Sequence, residues 1–481
     1  MRAHPAGPRH AEIIPEPDAL ERPADAGALN ALDPQIWPLT ARRDERSGSL
    51  RVGGLDVRDL VTQYQSPLLV MDEEDFRSRA RHYRAAFGSE AGRPAVYYAG
   101  KAFLTTIIAR WVTEEGLGVD VSTGGELAVA HHAGTPGENI IFHGNNKSVA
   151  EIGEAMAAGV GRMVIDSFED IARIAFVAAE QGKVQPVLIR VTTGVEAHTH
   201  EFIATSHEDQ KFGFSISSGD ASEAVARVLA LTELRLIGLH SHIGSQIFTA
   251  DGFEVAAHRV ITFMARIRDE LGAVLSELDL GGGLGIKYVA HDQPLAPEQF
   301  AGEIRGLVAD ECARHGLPVP RLAFEPGRAI VGPSMITLYT VGTVKTVQLD
   351  QGGARTYVSV DGGMSDNIRT ALYDAEYTVT LASRASTAEP RLCRVVGKHC
   401  ESGDIVVKDC WLPADLAPGD LLAVAATGAY CRSMASNYNW VGRPAVVAVC
   451  DATVTPVLRR ETITDLLALD CGVDLATVEV A

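Results

Sequence analysis

The feature that most limits what this chain can fold into is a repeat. From about residue 95 onward, a short apolar, β-branched run ends in a polar or glycine-rich stretch, and an amphipathic stretch with helical spacing comes next. The strand-like runs are Ala95–Ala99, Leu117–Val121, Asn139–Phe142, Met163–Ile165, Val187–Thr192, Leu234–His240, Leu278–Leu280 and Leu322–Phe324. Helical stretches separate most of them, clearest at Phe103–Glu115, Gly125–His132, Val149–Ala158, Phe168–Gln181, Ala221–Leu231 and Phe253–Leu271. Strands that alternate with helices predict parallel β-α-β units. Eight such units in about 235 residues suit a (β/α)8 barrel of the TIM type. A doubly wound open sheet is built from the same units, but it keeps its first and last strands apart.

The residues at the strand ends support the barrel. Lys101, Asp120, His143, Asp166, His242, Gly281–Gly283 and Glu325 all lie just past them. In a barrel the βα loops converge at the C-terminal ends of the strands, so these groups would share one mouth. After about Pro333 the texture changes. Ile336–Val347, Arg355–Val360, Tyr377–Leu381, Leu421–Ala426 and Ala445–Cys450 are strand-like, and long helical patterns stop until Ile463–Leu469. The expected organisation is α/β overall. A tail covers residues 1–33, and a segment over 34–74 packs with the β domain. The barrel spans 75–333, and a mostly-β domain spans 334–481. Gly54–Met71 also has strand character, which would make the β domain discontinuous.

Composition narrows the partners. A formal net charge of −19 over 481 residues repels phosphate backbones and anionic membranes, so neither nucleic acid nor membrane is an expected partner. No apolar run reaches the roughly 18 residues needed to span a bilayer. The N-terminus is rich in Pro, Ala and charge and lacks the apolar core of a signal peptide. The seven cysteines include no C-x-x-C pair, which argues against a zinc ribbon or thioredoxin-like motif. Free thiols without an export signal predict a cytoplasmic protein.

Three motifs carry chemistry. In Tyr97-Tyr98-Ala99-Gly100-Lys101-Ala102 a lysine ends an apolar first strand. It is either a snorkelling strand-end lysine or an amine that forms an imine with an aldehyde cofactor, and the motif alone does not separate the two. Gly281-Gly282-Gly283-Leu284-Gly285 comes after the seventh strand. It is a tight turn or a phosphate cradle, and barrel phosphate sites favour that corner. Glu325-Pro326-Gly327-Arg328 comes after the eighth strand, which a barrel sets beside the first. A carboxylate there can keep the ring nitrogen of pyridoxal phosphate (PLP) protonated, and Arg328 can bind a phosphate or a carboxylate. His240 and His242, like His198 and His200, have the i, i+2 spacing of a metal pair. Metal-dependent barrel hydrolases typically place such a pair on the first strand, which here carries Lys101. His242 is therefore expected to stack on a cofactor ring and Ser245 to reach its phosphate, with no metal. Cys400-Glu401-Ser402-Gly403-Asp404 looks like an exposed loop, with Cys400 a candidate acid or base.

These residues resemble the diaminopimelate decarboxylase family, most closely its actinobacterial form. The resemblance runs from about Trp37 to Leu469. It rests on YYAGKA, GLGVDVSTGGEL, HGNNKS, GLHSHIGSQ, DLGGGLGI, EPGRAI, VDGGMSDNIRTALYDA, GKHCESGD and GAYCRSMASNYN. It implies a PLP enzyme of the alanine-racemase-like barrel class, with Lys101 as the Schiff-base lysine. His242 stacks on the pyridine ring and Glu325 faces its nitrogen. Ser245, Gly283, Gly327, Arg328 and Tyr430 bind the phosphate region. Arg328, Arg369, Tyr373 and Tyr430 hold substrate, with Glu401 near its distal amine. Cys400 protonates the carbanion. The resemblance also implies a homodimer with shared active sites, in which the cysteine loop comes from the partner subunit. Ser365, Thr370 and Gly100 depart from the commoner family wording, but Arg369 and Tyr373 are intact.

The implied reaction is decarboxylation of meso-2,6-diaminopimelate at its D centre to L-lysine and CO2. Ornithine and arginine decarboxylases share the barrel, the lysine and the EPGR corner, and their substrates end in a cation. A diaminopimelate site must hold a second zwitterionic centre, so it needs an arginine as well as an acid. Arg369, Tyr373 and Glu401 meet that demand. A non-catalytic PLP carrier would be a single barrel, which the second domain argues against.

Overall fold

The computed structural model describes residues 20–90, 93–194, 211–348 and 354–474. They form two compact units, one within residues 20–76, 287–292 and 331–474, the other within residues 77–286 and 293–330.

The second of these is the barrel. Its strands are Tyr97–Ala99, Gly118–Val121, Ile140–Phe142, Arg162–Ile165, Gln185–Thr192, Leu234–His240, Glu277–Asp279 and Arg321–Ala323. Each pairs in parallel with the next. First and eighth meet as well. Val96 bridges to Phe324 in parallel, and Tyr97 N donates to Phe324 O at 2.8 Å. Tyr97, Ile141, Val164, Leu188 and Ala323 fill the interior, with Ile237 against them.

The helices start where the sequence offers caps. Ser148 accepts from Glu151 N while Glu151 accepts from Ser148 N, a capping box that opens Val149–Ala157. Thr123 and Ser167 cap Gly124–His132 and Phe168–Glu180 with single bonds, accepting from Glu126 N and Asp170 N. The expected helix from Phe103 begins three residues later, at Thr106, because Thr105 is its cap. The residues before it, Gly100–Ala102, form a 3-10 turn that carries Lys101 directly off the first strand.

A buried charge cluster closes the N-terminal end of the barrel. Arg162 opens the fourth strand, Glu277 the seventh and Arg321 the eighth. Arg162 Nε lies 2.5 Å from Glu277 Oε1, and Arg321 Nη1 lies 3.0 Å from Glu277 Oε2. Arg162 Nη1 also donates to Tyr97 OH at 2.6 Å.

The other unit is built on a sheet with the strand order Ile405–Pro413, Pro390–Val396, Ala354–Val360, Met335–Gln348, Leu68–Asp72, Ala445–Cys450 and Thr453–Leu458. Leu421–Val424 joins it by pairing with Met335–Gln348 and Val379–Leu381. Leu68–Asp72 lies inside the sheet, antiparallel to Met335–Gln348 and parallel to Ala445–Cys450. Ile36, Trp37, Leu50, Val57 and Leu60 share one apolar core with Ile336, Leu421 and Val447. Burying each such side chain is worth about 1.5–3 kcal/mol.

Two expectations differ from what is found. Gly54–Met71 is not continuous strand, because Val57–Tyr64 is a helix. Asp56 caps it by accepting from Arg58 N, and Val57 and Leu60 bury one face at i, i+3. In the stretch expected to be a tail, residues 1–19 lie outside the described residues, but Ala26–Asn30 is a short helix. Asn30 Nδ2 ties it to Ser386 O at 2.7 Å. No helix among the described residues is long and apolar enough to cross a membrane.

Candidate active site

At the C-terminal mouth of the barrel, Lys101 is exposed between buried Gly100 and Ala102. Gly327, just past the eighth strand, is pressed against the first: a Cβ there would lie 2.7 Å from Ala99 O and 3.2 Å from Ala102 Cβ. Only a glycine lets the EPGR corner approach the lysine turn this closely.

Glu325 is 5 % exposed and lies among imidazoles. His143 Nε2 is 2.7 Å from its Oε1 and 3.6 Å from Asp120 Oδ1, while His240 Nε2 is 3.6 Å from Glu325 Oε2. Burial opposes ionisation of Glu325, but His143 and His240 hold it well below the usual carboxylate range. Burial would also lower His143, yet the Asp120 and Glu325 charges push it up to about 9. His240 is pushed down to about 4 by burial, and Asp120 is pushed up to about 7 by burial against the pull of His143.

His240 and His242 do not act as a pair. His240 faces Glu325, whereas His242 Nδ1 accepts from Gly282 N at 3.3 Å. Burial, then the charges of Lys101 and Arg190, keep the His242 imidazole neutral. His198 and His200 lie outside the described residues.

The glycine loop and the EPGR corner complete the mouth. Gly281 N donates to Asp279 Oδ1 at 2.8 Å, and Ile247 N donates to Gly283 O at 2.9 Å. Gly283 has φ +97°, and a Cβ on it would lie 2.2 Å from Gly244 O. Arg328 Nη2 donates to Ser245 Oγ at 2.7 Å, which joins two residues expected to bind phosphate. Lys147 of HGNNKS belongs elsewhere, in a buried ion pair with Asp170 at 2.6 Å.

The remaining predicted residues lie in the other unit. Cys400 and Glu401 occupy the tip between strands Pro390–Val396 and Ile405–Pro413, and Cys400 is exposed. Glu401 Oε1 accepts from Gly403 N at 3.2 Å. The tip is clamped by Asp404, which accepts from Met364 N at 2.6 Å and His399 N at 2.7 Å. His399 Nε2 also meets Ser365 Oγ at 2.8 Å. GKHCESGD and VDGGMSDN therefore form one structure. Arg369 is 6 % exposed, and its Nη1 donates to Tyr288 OH at 3.0 Å and Tyr377 OH at 2.6 Å. Its buried Nε has no hydrogen-bond partner among the described residues, so the guanidinium keeps capacity for a ligand. Tyr373 is 61 % exposed, and Tyr430 sits at φ 62°.

Residues 73–332 match the family described as the pyridoxal-binding domain of pyridoxal-dependent decarboxylases. The diaminopimelate decarboxylase of Mycobacterium leprae is 56 % identical over 98 % of this chain and 100 % of its own length. That of Mycobacterium tuberculosis is 58 % identical over 91 % and 98 %. The chain belongs to the diaminopimelate decarboxylase family. A solved diaminopimelate decarboxylase from M. jannaschii with L-lysine superposes with a TM-score of 0.82, covering 90 % of this chain and 97 % of its own, at 31 % identity.

The cofactor of a diaminopimelate decarboxylase is PLP, and the barrel mouth suits it. Glu325 is buried beside His143, Ser241 Oγ is buried without a hydrogen-bond partner among the described residues, and the backbone of Gly282 and Gly283 has no room for a Cβ. These are an acid for a ring nitrogen and a close-approach loop for a phosphate. A Gly283→Ala variant is expected to displace the turn carrying Ser245, at a cost of about 1–3 kcal/mol. It should release cofactor roughly tenfold or more readily in an equilibrium-dialysis measurement.

The sequence reading gave no role to His143, His240 or Asp279 around Glu325, or to Tyr288 and Tyr377 around Arg369. His143 was visible as a polar strand-end residue. Tyr288 carried no local signal, because it lies 81 residues before Arg369.

Proposed function

We propose that the protein decarboxylates meso-2,6-diaminopimelate at its D centre, giving L-lysine and CO2. The observation that carries this reading is a buried Glu325, 2.7 Å from His143, at the same barrel mouth as Lys101, the glycine loop and the Arg328–Ser245 pair. When bound, PLP supplies an aldehyde that condenses with amines and a ring that accepts the electron pair left by departing CO2.

The protein's residues do the rest. Lys101 would hold the cofactor's aldehyde through its amine and supply an amine for the exchange with substrate. Glu325 would keep a proton on the cofactor's ring nitrogen, and the neutral His242 imidazole would lie against the ring. Ser245, Gly283, Gly327, Arg328 and Tyr430 hold the phosphate. Arg328, Arg369, Tyr373 and Tyr430 hold the substrate. Arg369 binds carboxylate by charge-assisted hydrogen bonds that its caging phenols orient, and Glu401 pairs with the distal ammonium. Cys400 would supply the proton that the α-carbon gains. Exposed Cys400 and Tyr373 suit completion of each site by a second copy, so the working form is a homodimer with shared sites. Seven unpaired cysteines suit the cytoplasm.

The direct test compares turnover of meso-diaminopimelate with that of ornithine. Faster ornithine turnover would overturn the substrate assignment. A Cys400→Ala variant is expected to lose about 10²- to 10⁴-fold in kcat with little change in KM, the range for removing a positioned acid. Unchanged kcat in steady-state assays would remove Cys400 from that role.

A further inference from the structure

We propose that His143 is a positioning residue: wedged as an imidazolium between Asp120 and Glu325, it keeps Glu325 ionised and fixed for the ring nitrogen of the cofactor. This rests on the reading of Glu325 as the ring-nitrogen partner.

The geometry is specific. His143 ends the third strand, and its N donates to Val121 O at 2.8 Å, which sets the imidazole at the barrel mouth. Its Nε2 reaches Glu325 Oε1 at 2.7 Å and Asp120 Oδ1 at 3.6 Å. The His240 ring packs edge-on at 4.8 Å between centroids, which limits rotation. His143, Asp120 and Glu325 are 6 %, 3 % and 5 % exposed, so water does not screen them.

Charge balance says why a cation is needed. A carboxylate without water tends to take up a proton, and a second carboxylate nearby strengthens that tendency. A protonated Glu325 would no longer hold a proton on a pyridine nitrogen. One imidazolium between two carboxylates leaves one net negative charge, which a protonated ring nitrogen neutralises. A neutral His143 would leave two, and one carboxylate would protonate. Lys101 and Glu126 also act on Asp120 through their charges, but the ion pairs of Glu325 are with His143 at 2.7 Å and His240 at 3.6 Å. His240 is pushed down to about 4 by burial and is neutral, while Asp279 is raised well above its usual range by burial and by Glu325. Arg190 pairs with Asp166 at 3.7 Å and acts on Glu325 and Asp120 as a more weakly coupled charge. Glu325, 0.9 Å closer to His143 than Asp120 is (3.6 Å less 2.7 Å), is the acid that stays ionised.

The test loads the holoenzyme with PLP labelled with 15N at the ring nitrogen and follows that resonance with pH. In the parent protein the ring should stay protonated until His143 loses its own proton, near pH 9. In His143→Gln the loss should come lower by about one pH unit or more, and the visible absorbance of the bound cofactor should move with it. A merely structural role for His143 would move neither titration. Glu325→Gln is the control and should leave the ring unprotonated at neutral pH. If Glu325→Gln loses the ring proton and His143→Gln titrates like the parent, the role of His143 is overturned and that of Glu325 stands. If Glu325→Gln keeps the proton, the reading of Glu325 itself fails. Should His143→Gln not fold, the ring nitrogens of 15N-histidine in the parent holoenzyme decide: both protonated at neutral pH supports the proposal, and a neutral ring overturns it.

Discussion

A Lys101→Ala protein is expected to lose turnover of meso-diaminopimelate by about 10⁴-fold or more, because one amine both anchors the cofactor and moves protons. Three observations single out this lysine. It leaves the first strand on a 3-10 turn whose neighbours are buried while its own side chain is exposed. The Gly327 corner is pressed against that turn, which brings Arg328 and Glu325 to the same end of the barrel. The other lysine among the strand-end motifs, Lys147, is committed to a buried pair with Asp170 and to Val164 O at 2.8 Å, so it cannot substitute. Borohydride reduction followed by peptide mass spectrometry should place the cofactor on the peptide containing Lys101 and on none in the variant. A variant that stayed folded, kept covalent cofactor and turned over at more than about a hundredth of the parent rate would sink the assignment. Far-ultraviolet circular dichroism separates a lost amine from a lost fold.

The barrel was legible because its signals are local. Strands such as Ile140–Phe142 and Arg162–Ile165 are short runs buried throughout, and the helices after the first four strands open on Thr105, Thr123, Ser148 and Ser167, which cap them. The hairpin Pro390–Val396 with Ile405–Pro413 was missed for the opposite reason. Its charged residues satisfy one another across the strands, with Arg394 Nε donating to Lys408 O at 2.7 Å and Arg394 Nη2 3.4 Å from Asp409. Seen as sequence, those charges break the alternation that marks a strand. The helix Pro297–His315 was passed over although proline at its start is a regular opening signal. The site divides in the same way. Lys101, Gly283 and Glu325 could be found because each ends a strand. The surroundings of Glu325 could not, because His143, His240 and Glu325 come from the third, sixth and eighth strands. Only ring closure brings their ligand-type atoms within 4.8 Å of one another.

The opposite end of the barrel should carry the largest single effect on stability. Glu277→Gln is expected to destabilise the protein by about 3–5 kcal/mol, because it leaves two arginines facing a neutral amide. Arg162 has a side chain 2 % exposed and Arg321 one 11 % exposed, so neither recovers hydration by moving outward without opening the strand ends. The cluster also includes Tyr97 OH, which accepts from Arg162 at 2.6 Å. The exposed Glu223–Arg227 pair on the helix Asp220–Leu229 is the contrast. Both of its side chains are more than half exposed, so Glu223→Gln should cost no more than about 0.5 kcal/mol. Urea unfolding with cofactor held saturating measures both, since any loss of cofactor would otherwise add its own binding free energy. A Glu277→Gln midpoint no lower than that of Glu223→Gln would mean that the arginines find water after all. The cluster would then be a hydrated rim of the barrel, not a buried seal.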